Sequence, residues 1–435
     1  MDIIKFNPEK KSGSFKLLNG INGGPVHKRH ANDQKRSNFK QYKAARIPYC
    51  RNHDTEFNNP CHGPFNYNIS IIFPNFDADV NDPASYDFPC TDEQIFIAMD
   101  ADAQPFFRLG QSIEDHIKKH HTLPPKDYQK WAEICEHIIR HYNEGWADGY
   151  ELNVKYWEIW NEPDYKYDQE DKPAWGGSQE DFIDFYEVVA KHLKKCFPDV
   201  KIGGPALFGH MPWADTFLKE MQNRQVPMDF FSWHCYAKDP MFIAQRANEV
   251  KEMLAKYGYG DIESILDAWN YVKDWDEDFQ YTIDAIRGLK GASYILSSIC
   301  EGQKAPIDLM MYYDVRNSVF NGIFNVYSLQ PLKGYYSLYW YGMFYDMDCE
   351  IRAENKIDDL YTLCGVDKSG KTQTVVTYFS ENDNAPAKEF SIDFGRPGKY
   401  EIYKLDNNND GALIDTTENL TFTLGVHESL LIKEI

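Results

Sequence analysis

Residues 156–164 read Tyr156-Trp157-Glu158-Ile159-Trp160-Asn161-Glu162-Pro163-Asp164. Tyr156–Trp160 is a short aromatic and apolar run that reads as a strand. Pro163 has no N–H to give a ladder, so the strand ends beside Glu162. Further on, Ser178-Gln179-Glu180-Asp181 is a capping-box pattern, and Phe182, Phe185, Tyr186, Val189 and Leu193 follow at helical spacing. Val200–Gly203 is the next strand. Strand, helix and strand in this order imply a parallel pair joined by a crossover helix.

The same alternation extends in both directions. Lys16–Ile21, Ala44–Tyr49 and Phe106–Leu109 precede the unit; Asp229–Trp233, Glu263–Trp269 and Ile307–Tyr313 follow it. Helical stretches lie between them. Trp131, Ile134, Cys135, Ile138, Ile139 and Tyr142 form one apolar stripe, and others fall near 212–224, 240–257 and 278–300. Eight strands, each followed by a helix or long loop, predict an α/β (β/α)8 TIM barrel over residues 16–345. After about residue 346 the pattern changes to short strands between turns: Leu360–Val366, Thr372–Phe379, Lys388–Phe394, Lys399–Leu405, Leu420–Leu424 and Ser429–Ile435. These predict a C-terminal antiparallel β-sandwich over 346–435, with residues 1–15 a candidate extra strand of it.

Composition narrows the function. Lys+Arg is 46 against Asp+Glu 67, a formal charge of −21, which excludes a general binder of nucleic acid or anionic membrane. No run approaches the ~20 apolar residues of a membrane helix. The nine Cys are scattered without a C-x-x-C, so neither a disulfide framework nor a zinc site is expected. The first residues hold no long apolar run, so a cytoplasmic location is expected, or a periplasmic or secreted one if a leader has been removed. The expected partner is a small neutral ligand rather than nucleic acid or membrane; oligomerisation is left open.

In a barrel, catalytic groups sit at the C-terminal ends of the strands, which singles out Glu162. Strand alternation puts Trp160 and Glu162 on one face and Asn161 on the other, unless the chain bends. A carboxyl enclosed by aromatic walls keeps its proton longer, as a general acid for a glycosidic oxygen must.

Trp-Asn-Glu-Pro at the end of the fourth strand resembles the acid/base motif of the clan A retaining glycoside hydrolases. Within that clan the chain resembles glycoside hydrolase family 39, the family of β-xylosidases and α-L-iduronidases. Asn19-Gly20-Ile21-Asn22-Gly23-Gly24-Pro25, Arg51-Asn52-His53-Asp54, Gly203-Gly204-Pro205 and Ser232-Trp233-His234-Cys235-Tyr236 match in order. The resemblance implies a retaining exo-glycosidase on a plant-type oligo- or polysaccharide, with no metal or organic cofactor and with Glu162 as acid/base. Relatives with β-galactosidase, arabinosidase or iduronidase specificity stay open. By the same resemblance His53, Asn161, His234 and Tyr236 bind the sugar or orient the carboxylates, and Asn161 donates to its 2-hydroxyl. Trp269 and Tyr313 are candidates for an aromatic sugar platform.

Retention needs a second carboxylate about 5–5.5 Å from the first. In the clan it is a Glu in an apolar-x-Glu-aromatic-Asn pattern ending the seventh strand. Here Ile265-Leu266-Asp267-Ala268-Trp269-Asn270 puts Ala268 at that nucleophile position. Three readings stand. Ala268 is an introduced replacement that inactivates the chain; or the protein is a natural pseudo-enzyme that only binds sugar; or Asp267 or another carboxylate serves instead. Alternation turns Asp267 away from the barrel axis.

Two weaker signals remain. Asp406-Asn407-Asn408-Asn409-Asp410-Gly411 matches the first half of a calcium loop but reads better as a polar turn, since Glu418 falls one place late. His137 and His141 have metal-ligand spacing but lie opposite the apolar stripe, so both are expected to face solvent.

Overall fold

A computed structural model describes residues 2–26, 37–52, 66–112, 122–165, 174–316 and 318–435. Its first strand, β1 (Asp2–Gly13), belongs to the C-terminal layer. Eight parallel strands then close a barrel in sequence order: β2 (Leu17–Asn22), β3 (Tyr49–Asn52), β4 (Gln104–Leu109), β5 (Tyr156–Ile159), β6 (Lys201–Leu207), β7 (Phe230–Ala237), β8 (Glu263–Tyr271) and β9 (Leu309–Tyr312). The predicted second strand was placed too early. Ala44 ends a helix, Phe39–Ala44, and the strand starts only at Tyr49.

Helices wrap the barrel. Helix Gln179–Cys196 begins with the predicted capping box: Ser178 Oγ accepts from Asp181 N at 3.1 Å, and Asp181 Oδ2 accepts from Ser178 N at 2.8 Å. Helix Tyr128–Glu144 turns its apolar stripe onto the barrel and ends at Gly145, whose φ of 72° closes the helix. His141 on that helix is buried, not solvent-facing. It stacks on Phe88 at 3.6 Å and its Nε2 meets Asp92 Oδ1 at 3.1 Å. The helix is enclosed on this side too, by the segment 86–92, which sequence periodicity does not report.

The C-terminal strands are β10 (Cys349–Ala353), β11 (Leu360–Val366), β12 (Thr372–Tyr378), β13 (Lys388–Asp393), β14 (Tyr400–Leu405), β15 (Asp410–Thr417), β16 (Thr421–Leu424) and β17 (Ser429–Glu434). With β1 they form one nine-stranded sheet, ordered β15-β14-β17-β12-β11-β10-β1-β13-β16. It is mixed rather than wholly antiparallel, because β1 runs parallel to β13 and antiparallel to β10. Register shifts along β1 let the sheet curl around its own core of Ile4, Phe6, Val376, Phe390, Ile392 and Ile432. Leu363, Val375 and Leu431, on the other face, join the barrel's core. The sheet is therefore buried on both sides along β11, β12 and β17.

The barrel interior is layered by strand alternation. A floor of Tyr49, Phe106, Tyr156, Phe230, Ile265, Leu309 and Met311 fills one end. Two residues further along the same strands come Arg51, Arg108, Glu158, Ser232 and Asp267, all fully buried. An apolar plug thus sits beneath a charged layer, and the site lies above both.

Candidate active site

Strand β5 stops at Ile159, and the chain then bends. Trp160 and Glu162 have φ of 73° and 50°, a left-handed backbone that non-glycine residues rarely adopt. The bend corrects the expected alternation. Trp160 turns outward against Trp175 and Phe185, while Asn161 and Glu162 both reach the barrel mouth. Asn161 Oδ1 accepts from Arg51 Nη2 at 2.6 Å, and Asn161 Nδ2 has no partner among the described residues. Glu162 Oε1 lies 2.5 Å from His234 Nδ1. Its backbone N–H donates to the Ala206 carbonyl at 2.9 Å, fixing the bend to β6.

Strand β8 carries the second correction. Trp233 pairs with Leu266, but His234 pairs with Ala268, so two residues of β8 oppose one of β7. The bulge resets the parity only beyond Asp267, which keeps the lumenal phase of Ile265 two residues before it. Asp267 is not turned away from the axis; it faces the lumen, fully buried, with Oδ2 2.9 Å from Arg51 Nε and Oδ1 3.5 Å from His234 Nε2. Ala268, opposite His234, is 1% exposed. Trp269 then points outward against Tyr294 and Tyr312 and is fully buried, so it cannot be a sugar platform.

The imidazole of His234 therefore stands between two carboxylates. Burial alone would depress its pKa, but Asp267 and Glu162 outweigh that and raise it to about 9. At neutral pH it is an imidazolium that donates Nδ1–H to Glu162. Burial also works against the charged form of Asp267, yet Arg51 and His234 hold its pKa down at about 2. Burial pushes Glu158 the other way, to about 8, against the pull of Arg51 and with Asp267 adding to the rise. Glu158 thus holds its proton more tightly than an exposed carboxyl does. Arg51 ties the layer together through Glu158 Oε2 at 2.8 Å and Asn22 Oδ1 at 3.1 Å.

Above this layer lies an aromatic wall. Tyr236 meets His234 edge-on at 6.5 Å and Tyr313 at 6.1 Å. Tyr313 accepts from Arg316 Nη2 at 2.8 Å, and Arg316 Nε is 2.6 Å from Asp314 Oδ2. His53 lies outside the described residues. Sequence reasoning named Glu162, Asn161, His234, Tyr236 and Tyr313 for one site and Asp267 as an alternative carboxylate turned away from it, but missed Arg51 and Glu158 as members of the cluster. The signal for Glu158 was a charged residue within an apolar strand.

Metal-ligand side chains are found elsewhere. Among the described residues, Glu136, His192 and Cys196 come together on two barrel helices, where Arg140 already engages Glu136. Asp406 Oδ1 accepts from the N–H groups of Asn408 and Asn409 and from Asn409 Nδ2, closing the turn expected there. No helix among the described residues is long and apolar enough to cross a membrane.

Residues 4–277 match the model of glycosyl hydrolases family 39. A β-xylosidase from Caldicellulosiruptor saccharolyticus is 28% identical over 214 residues, 46% of this chain and 40% of that protein. A β-xylosidase from Geobacillus stearothermophilus is 35% identical over 119 residues, 27% of this chain and 22% of that protein. The matches thus span less than half of either relative. Among solved structures, a glucosidase from Croceicoccus marinus superposes with a TM-score of 0.76 at 21% identity, covering 100% of this chain and 99% of that one. A monomeric β-xylosidase from Caulobacter crescentus gives 0.70 at 13%, with 100% and 99% covered. At these identities the structures bear on the fold alone.

Proposed function

The chain belongs to glycosyl hydrolase family 39, and from that premise we propose a β-xylosidase-like exo-glycosidase site with a retaining framework and Glu162 as its acid/base. The observation that carries this reading is the hydrogen bond of 2.5 Å between Glu162 and His234. It fixes the orientation of the Glu162 carboxyl at the barrel mouth, where an acid/base must meet a leaving-group oxygen. The unpartnered Nδ2 of Asn161 is free to donate to a sugar hydroxyl beside it. A neutral sugar fits best, because Arg316 is already engaged by Asp314 and Tyr313.

Ala268 brings no nucleophile, so the chain as it stands binds sugar and turns over ordinary glycosides very slowly. Ala268→Glu should raise kcat on an aryl β-xyloside by several orders of magnitude, on the scale of losing a catalytic nucleophile. A variant that binds xylose yet stays inert would instead establish a non-catalytic sugar-binding protein.

The position of Asp267 favours a second reading. It is a lumenal carboxylate kept ionised by Arg51 and His234, the state a nucleophile needs. If it serves, the unaltered chain hydrolyses an activated aryl xyloside measurably, and Asp267→Asn abolishes that activity. Equal rates with and without Asp267 would leave position 268 as the missing group.

A further inference from the structure

We propose that Trp275 is the platform of a leaving-group subsite, one that takes a neutral pyranose unit stacked on its indole. The proposal rests on the glycosidase reading above and extends it to what lies beyond the cleaved bond.

Of the ten tryptophans, eight are buried and Trp146 is partly covered; Trp275, at 46%, is the exposed one. Large apolar surface left in water at the rim of a site marks a contact to be made. The ring is also held in place. It packs edge-on against Tyr236 at 5.4 Å, stacks on Phe279 at 6.0 Å, and touches Phe320 at 5.9 Å and Phe208 at 6.4 Å. A rigid aromatic surface stacks a ligand with little ordering cost.

Its place relative to the acid is set by ring contacts. Tyr236, against which Trp275 packs, meets His234, and His234 is bonded to Glu162. Phe208, which Trp275 also touches, packs on Tyr165 and donates its N–H to Asp164 just past Glu162, so the platform stands on the Glu162 side of the mouth, where the leaving group departs. The C–H face of a pyranose is the apolar surface that an indole of this size covers.

Charge around the ring selects among pyranoses. Trp275 sits in Lys273-Asp274-Trp275-Asp276-Glu277-Asp278. Lys273 is paired with Asp278 at 3.1 Å, while Asp274, Asp276 and Glu277 are exposed. Three carboxylates beside the platform accept hydroxyl donors and repel a uronate.

Titration calorimetry on the unaltered chain tests this without requiring turnover. Xylobiose should bind about tenfold more tightly than xylose, the scale of one aromatic stacking contact. A disaccharide with a uronic acid as its second unit should show no such gain. Trp275→Ala should remove the advantage of xylobiose over xylose, and Trp275→Phe should keep part of it. Xylobiose should also shift the tryptophan emission to shorter wavelength, and Trp275→Ala should lose that shift. Equal weakening of both sugars in Trp275→Ala would make the ring a packing element of the loop and overturn the subsite. Binding of neither sugar by the unaltered chain would overturn the xylosidase reading itself, and the subsite with it.

Discussion

Glu162 reaches the mouth on a backbone that costs free energy to hold. Left-handed φ values at Trp160 and Glu162 cost on the order of 1–3 kcal/mol each. They persist because neighbours fix them: Trp160 N donates to the Leu109 carbonyl at 2.8 Å and its Nε1 to the Ala174 carbonyl at 3.1 Å. In the Ala268→Glu background, Glu162→Ala should slow substrates with poor leaving groups far more than activated aryl glycosides, because a good leaving group departs unprotonated. Azide, which needs no general base, should then rescue the activated substrate and give a glycosyl azide. Equal loss on both substrates without rescue would place the acid elsewhere. The buried cluster also sets a pH dependence. His234 is raised from 6.5 to about 9 and Glu158 from 4.5 to about 8, so the folded state binds both protons more tightly than the unfolded chain. The His234 contribution is complete below pH 6.5 and is lost as pH rises through about 9; that of Glu158 is complete below pH 4.5 and fades toward about 8. The melting temperature should therefore fall between pH 6 and pH 9. His234→Gln should flatten the decline, removing on the order of 3 kcal/mol of its span. A melting temperature constant across this range in the unaltered protein would rule out the charged imidazole.

The strands around the site tolerate little change because the backbone itself is packed there. Gly204 in β6 has φ +134°, and a Cβ on it would lie 2.7 Å from the Ile159 carbonyl oxygen, directly below the bend that presents Glu162. Gly204→Ala should cost on the order of 2 kcal/mol in denaturant unfolding and impair sugar binding as well. Ser178→Ala is the contrasting case. It removes one half of a surface capping box, should cost about 1 kcal/mol, and should leave sugar affinity unchanged. Equal effects of the two variants on binding would separate the Gly204 contact from the site. The bulge in β8 belongs to this scale as well. Asp267 keeps the lumenal phase of Ile265, and the extra residue then turns Trp269 outward, where strict alternation from Asp267 would put it inward.

The molecule is joined at its ends. β1 lies between β10 and β13, so the first strand of the chain holds the last sheet together. Removing residues 2–13 should leave β13 and β16 without a partner on that side. Limited proteolysis should then cut within 386–424 rapidly while the barrel persists; unchanged resistance would show that the sheet closes without β1. A second tie is Lys290, on the barrel helix Leu289–Lys304, which donates to Tyr281 Oη, the Glu381 carbonyl and Asp383 Oδ1, each at 2.9 Å. Tyr271, the last residue of β8, donates to Glu381 at 2.9 Å. The sheet thus braces the strand that carries Asp267 and Ala268.

Local chemistry in the sequence determined the number of barrel strands, the helix start at Ser178, the sheet that follows and the acid before Pro163. Each is a matter of periodicity, capping or a missing N–H within a few residues. It also showed that position 268 lacks a carboxylate. What it could not determine was which way side chains turn where regular structure breaks. The bend at Trp160–Glu162 is fixed by carbonyls of β4 and β6, and the bulge at Asp267–Ala268 by the register against β7. The pairing of Arg51 with Glu158 and Asp267 joins residues more than a hundred positions apart. Only closure of the barrel brings such charges within hydrogen-bonding distance in a dry interior, and there their mutual interactions, more than their intrinsic acidities, decide which of them are ionised.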